Sequence, residues 1–166
     1  ILLVGHSMGT LFSIELALAH PEKVISLFLL AVPLRPRLSV SGMESCLRLV
    51  FGKIRQERPF EAAIRRVCGC KTTRRLWKYI PWIPRFLELF AEIYRTEKVM
   101  GKLKLPCIAW QSRKDELVSN RTAPVLRKSG VMEVRELQNS THFYYTPQDA
   151  ALVVREFGEW IKKGSG

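Results

Sequence analysis

Apolar and polar positions along this chain fall into strand-like and helix-like patterns whose order predicts an α/β protein. Residues 1–4 are an unbroken apolar run ending at Gly5, as expected of a strand buried on both faces. Residues 10–20 carry Leu11, Ile14, Leu16 and Leu18 among alanines, a mostly apolar helix that Pro21 stops. Residues 24–32 form a second apolar run, β-branched at both ends and closed by Pro33. Strand, helix and strand in that order predict a right-handed parallel crossover.

The middle of the chain is patterned differently. From 34 to 100 it is basic and helix-like, interrupted by Pro36, Pro59, Pro81 and Pro84. Residues 74–80 and 86–90 read as short amphipathic helices, and the whole stretch reads as an inserted cap rather than an independent domain. The α/β pattern then resumes. Residues 106–111 predict a strand, and a helix is expected from about Asn120, with Pro124 tolerable only in its first turn. Residues 131–137 alternate as a final strand. Thr146-Pro147-Gln148-Asp149 is a helix start, with Thr as cap, Pro first and Asp in the first turn. The helix it opens carries Leu152, Val153, Phe157, Trp160 and Ile161 on its apolar side. The chain therefore divides into a first core segment (1–33), a cap (34–100) and a second core segment (101–166).

The chemistry sits at the ends of these elements. Gly5-His6-Ser7-Met8-Gly9 matches the pattern G-x-S-x-G, with an apolar strand before it and a helical pattern after it. A nucleophile on a sharp strand-to-helix turn sits in strained backbone, and the flanking Gly5 and Gly9 keep Cβ atoms out of its way. The turn exposes the Ser7 hydroxyl and places the Met8 N–H at the positive end of a helix, where an oxyanion is stabilised.

A serine nucleophile needs a base, and the chain has three histidines. His6 lies inside the turn, with its side chain expected to point away from the Ser7 hydroxyl. His20 ends the first helix, where a cation is favourable. His142 lies in a polar loop between the last strand and the last helix, which makes it the base. Of the aspartates, Asp149 belongs to a helix start, whereas Asp115 follows the 106–111 strand at its carboxyl end, where site residues of open parallel sheets gather. Asp115 is thus the orienting acid, with Glu116 as the fallback. The order Ser7, Asp115, His142 differs from that of chymotrypsin-like and subtilisin-like proteases.

Leu-Val-Gly-His-Ser-Met-Gly, followed by His-Pro-Glu-Lys-Val, resembles the α/β-hydrolase superfamily, and within it the esterase, monoacylglycerol-lipase and C–C hydrolase relatives. Residues 112–118 and 140–142 resemble that family's acid and histidine loops. The resemblance implies a mostly parallel sheet flanked by helices with an inserted helical cap. It gives Ser7 as nucleophile, Asp115 as acid and His142 as base, and a serine here sets the chain apart from the aspartate-using dehalogenase and epoxide hydrolase branches. Many relatives have Gly where this chain has Thr10. The family's earlier strands, and the loop carrying its second oxyanion donor, have no counterpart in these residues. The first strand is then expected to be an exposed apolar edge, open to another chain or to an N-terminal segment.

The implied reaction is hydrolysis of a carboxylic ester with a hydrophobic acyl or aryl group through an acyl-enzyme, with a small-molecule ester as partner. The alternatives are a C–C bond hydrolase, thioesterase or acyltransferase using the same triad, or a non-catalytic binding or assembly chain.

Composition narrows the partners. The net charge is +12, with 27 Lys and Arg against 15 Asp and Glu, much of the excess lying between Arg35 and Arg85. No nucleic-acid-binding motif accompanies it, so this is read as a solvated helical face, with contact to anionic membrane as the alternative. The four cysteines have no zinc-site spacing, Cys68-Gly69-Cys70 being too tight, so no metal or cofactor is expected and free thiols are. Cys107, in an apolar run, is expected to be buried. With no secretory signal pattern and no apolar run long enough to span a bilayer, the expected location is the cytoplasm. The chain opens without an initiator Met, so Ile1 reads as the edge of a longer or processed chain.

Overall fold

A computed structural model of the chain describes residues 1–37, 40–51, 53, 61–63, 73 and 75–164. Pro59, Cys68, Gly69 and Cys70, named above, and the first residue of the 74–80 stretch lie outside them. Four strands, β1 (Leu2–His6), β2 (Ser26–Leu30), β3 (Cys107–Ser112) and β4 (Glu133–Leu137), pair in sequence order. All three pairings are parallel, with Leu3 opposite Leu27, Phe28 opposite Ile108 and Trp110 opposite Arg135. Every strand therefore ends at the same edge of the sheet, and β1 is a border strand among the described residues.

The period of two along the strands divides the interior into two layers. Leu3, Leu27, Leu29, Cys107, Ala109 and Val134 face one way, onto α1 (Met8–Ala19). Leu2, Phe28, Leu30, Ile108, Trp110 and Leu137 face the other way, onto the C-terminal helix. Such two-sided covering is why β2 reads as a continuous apolar run. In the second layer the Trp160 indole N–H donates to Ser26 Oγ at 2.7 Å, so the one polar atom of that ring is satisfied at the strand start.

Between β2 and β3 lie α2 (Val40–Phe51), a short 3-10 turn (Leu76–Tyr79) and α3 (Trp82–Val99). The last two differ from the pattern-based expectation. Of the 74–80 stretch, Leu76–Tyr79 form a single tight turn, and 86–90 is the middle of an 18-residue helix. Pro84 does not interrupt that helix because it is its third residue, where the backbone nitrogen has no intrahelical acceptor. The C-terminal half of α3 docks on α1: Ile93, and Met100 just past the helix end, enter the first layer, and Arg95 bonds Glu15 at 2.7 Å. Its N-terminal half leaves Trp82, Ile83, Phe86 and Phe90 exposed.

The remaining helices follow their sequence signals closely. In α4 (Thr122–Lys128) Pro124 falls in the first turn. In α5 (Pro147–Gly164) the Asp149 N–H donates to Thr146 Oγ1 at 3.3 Å, the cap expected of that threonine. Leu152, Val153, Phe157 and Trp160 pack on the sheet, but Ile161 is 38% exposed, past the width of the apolar stripe. No helix among the described residues is long and apolar enough to cross a membrane.

Candidate active site

Ser7 links β1 to α1 with φ 52° and ψ −125°, a region that residues with side chains rarely occupy. Hydrogen bonds on both sides hold it there. Its N–H donates to the Leu30 carbonyl at 2.9 Å, and its carbonyl accepts from Thr10 N–H at 2.9 Å and Thr10 Oγ1 at 2.6 Å. Thr10 is fully buried, so its hydroxyl has a definite task in closing the turn. Serine is a favoured N-cap residue, yet this one makes no side-chain cap bond. Its hydroxyl is engaged elsewhere.

The flanking glycines differ in their reason. A Cβ at Gly5 would lie 2.8 Å from Thr10 Cα and 2.9 Å from Thr10 N, so strand and helix approach too closely for any side chain. A Cβ at Gly9 meets nothing within 4 Å among the described residues. The steric argument that the pattern suggests for both positions holds at Gly5 alone. Met8 is the first residue of α1, where backbone N–H groups have no intrahelical acceptor.

The three residues singled out from sequence meet at the carboxyl edge of the sheet. Ser7 Oγ lies 3.0 Å from His142 Nε2, and His142 Nδ1 lies 2.8 Å from Asp115 Oδ2. His142 and Asp115 are each 1% exposed, while Ser7 is partly accessible. Asp115 is oriented by its own turn: Oδ1 accepts from the Leu117 and Val118 N–H groups, both at 2.7 Å, leaving Oδ2 for the imidazole. A hydroxyl open to solvent, backed by an imidazole and a carboxyl group withdrawn from it, is an arrangement through which the hydroxyl proton could be passed.

Around this line the neighbours are less obvious from sequence. Asp149, read as a helix-start residue, also takes Ser140 Oγ at 2.7 Å and Asn139 N–H at 3.2 Å on its Oδ2, fastening the loop that carries His142 to α5. Glu116 does not replace Asp115 at the imidazole; its Oε2 accepts from the His142 backbone N–H at 3.4 Å. Burial, the largest influence, holds the Glu116 carboxyl above its ordinary range. His6 packs beside His142, ring centroids 5.1 Å apart, with its Nε2 3.1 Å from the His142 carbonyl. Burial first, and the neighbouring His142 second, keep His6 below the ordinary histidine value. Burial pushes the Tyr145 phenol up to about 12, helped by Asp115 nearby.

No protein-family model matches the chain, and neither does any curated protein. Solved structures do. One, from work on the metagenome-derived lipolytic enzymes LipS and LipT, is 19% identical, with TM-score 0.64 over 98% of this chain and 64% of its own. A monoacylglycerol lipase from Paleococcus ferrophilus is 17% identical, with TM-score 0.67 over 98% of this chain and 68% of its own. An alpha/beta superfamily hydrolase from Oenococcus oeni PSU-1 is 12% identical, with TM-score 0.57 over the full chain and 67% of its own. The chain has the α/β-hydrolase fold. It spans about two thirds of the length of these structures, and less than that of the first.

Proposed function

We propose that this chain carries the catalytic apparatus of a serine hydrolase that cleaves carboxylic esters with a hydrophobic acyl or aryl group. The observation that supports this most is the unbroken line from Ser7 Oγ through the His142 imidazole to Asp115 Oδ2. In this reading His142 Nε2 accepts the Ser7 proton as Oγ bonds to the acyl carbon, and the carbonyl becomes an oxyanion facing the Met8 N–H. The tetrahedral adduct collapses with cleavage of the ester C–O bond, and His142 returns the proton to the leaving alkoxide. Water then attacks the acyl-Ser7 carbon, losing its proton to His142. Collapse of the second adduct breaks the Ser7 Oγ–acyl bond, restores the Ser7 proton and releases the carboxylic acid. Asp115 Oδ2 accepts from His142 Nδ1–H and keeps that tautomer in place.

Preference for an apolar acyl group is supported by the exposed Met8, Trp82, Phe86 and Phe90 on the two packed helices α1 and α3. The experiment is labelling with a fluorophosphonate probe, which reports an activated serine without knowledge of the substrate. The chain is expected to label, and Ser7→Ala to abolish the signal. A chain that stays unlabelled, or a signal that survives Ser7→Ala, overturns the reading.

A further inference from the structure

The main chain of His142 is gripped from two sides by side chains that stand outside the line Ser7–His142–Asp115. His6 Nε2 lies 3.1 Å from the His142 carbonyl oxygen, and Glu116 Oε2 lies 3.4 Å from the His142 N–H. His6 is the residue before Ser7, at the end of β1, and Glu116 is the residue after Asp115. The nucleophile loop and the acid loop therefore each send a second contact to the base, aimed at its peptide rather than at its ring. We propose that His6 and Glu116 are positioning residues that set the His142 imidazole between Ser7 and Asp115 by fixing the backbone that carries it.

The proposal rests on the hydrolase reading, and the geometry explains why such fixing matters. Both ring nitrogens of His142 are already engaged, at 3.0 and 2.8 Å, so the ring has no further hydrogen-bonding atom with which to correct a displaced backbone. A misplacement of about 1 Å at a reacting group costs on the order of a hundredfold in rate. The tie from His6 requires hydrogen on Nε2, the donor to the carbonyl. A neutral donor is also the right one there, because a second cation 5.1 Å from His142 would oppose the imidazolium that forms when the base takes a proton. His6 thus supplies a hydrogen bond without a charge. The shorter contact makes its tie the stronger of the two.

The test compares donors and acceptors at fixed size as closely as possible. His6→Gln keeps an N–H donor and His6→Leu removes it; Glu116→Gln keeps a carbonyl acceptor and Glu116→Ala removes it. Two readouts are taken on the whole chain. One is the second-order rate of fluorophosphonate labelling at Ser7. The other is the downfield proton resonance of the His142–Asp115 hydrogen bond, which needs no turnover.

His6→Leu is expected to slow labelling roughly tenfold to a hundredfold and to shift or broaden that resonance, with His6→Gln restoring both to within a few-fold of the parent. Glu116→Ala should show a smaller loss that Glu116→Gln recovers. Parent-like behaviour of His6→Leu and Glu116→Ala overturns the proposal, as does an equal loss in His6→Leu and His6→Gln, which would mean that the ring's shape and not its donor matters. A parent chain that shows the resonance but never labels counts against the hydrolase reading alone, and the resonance then decides this one. A parent without the resonance has no fixed base and overturns it too. If His6→Leu does not fold, the Glu116 pair decides the matter.

Discussion

Strain at Ser7 and crowding at Gly5 are two sides of one local arrangement. The helix must begin close enough to the strand for Thr10 to bond the Ser7 carbonyl, and that closeness leaves no room at Gly5. Gly5→Ala would press a methyl group onto backbone atoms that cannot turn aside, so a loss of roughly 1–3 kcal/mol is expected. Gly9→Ala, in open space within α1, should leave stability unchanged or slightly raised. Urea denaturation of the two variants side by side checks both, and equal costs would show that the turn yields. His6 gives a pH dependence whose sign follows from its lowered folded value. Unfolded, it titrates near 6.5; folded, it binds its proton only at lower pH. Its contribution is therefore complete above that unfolded value and lost as pH falls through the folded one. Denaturation midpoints at pH 7.5 and 5 (roughly spanning the window set by that ordinary value) should fall less with acid in His6→Gln than in the parent.

Among the elements, α3 shows most clearly how packing and pattern divide the work. Its C-terminal half is ordered by burial of Ile93 against α1, whereas its N-terminal half exposes Phe86 and Phe90. Ile93→Ala should therefore destabilise by roughly 2–5 kcal/mol, the usual range for emptying a buried site, and Phe86→Ala by no more than about 0.5 kcal/mol. Thermal unfolding followed by circular dichroism separates these; comparable losses would mean that the exposed half is packed in solution. The same helix marks where the sequence stops being legible. Strands β1, β2 and β3, the capped start of α5 and the Ser7, Asp115 and His142 loops carry signals within a few residues of themselves, namely apolar runs, Gly and Pro positions and a scarcity of other candidates. The length of α3 depends on a contact with α1 some eighty residues earlier, which no local period encodes. Asp149 and His6 look purely local in the sequence for the same reason: their second bonds are to a loop whose placement only the assembled sheet determines.

At the scale of these 166 residues, a sheet edge without a strand partner among the described residues and a high charge pull in opposite directions. Among the described residues β1 pairs with β2 alone, and Val4 on it and Ile1 just before it stand 52% and 61% exposed. Beside that edge α1 exposes Met8, Phe12 and Leu16, one turn apart along a single face. Unpaired backbone groups next to apolar side chains are a template for pairing with another chain. Against this, a net charge of +12 makes copies of the chain repel one another. The repulsion is screened by salt, since the Debye length falls from about 30 Å at 0.01 M to about 8 Å at 0.15 M, while apolar and backbone pairing is not weakened. The 166-residue chain is therefore expected to self-associate more strongly as salt rises across that range, the reverse of an assembly held by ion pairs. Val4→Lys places a charge on the strand without touching the buried Gly5 turn and should lower the association at every salt concentration. Sedimentation velocity over a concentration series measures both effects. Association that weakens with salt, or that Val4→Lys leaves untouched, would move the contact away from β1 and onto the charged surface.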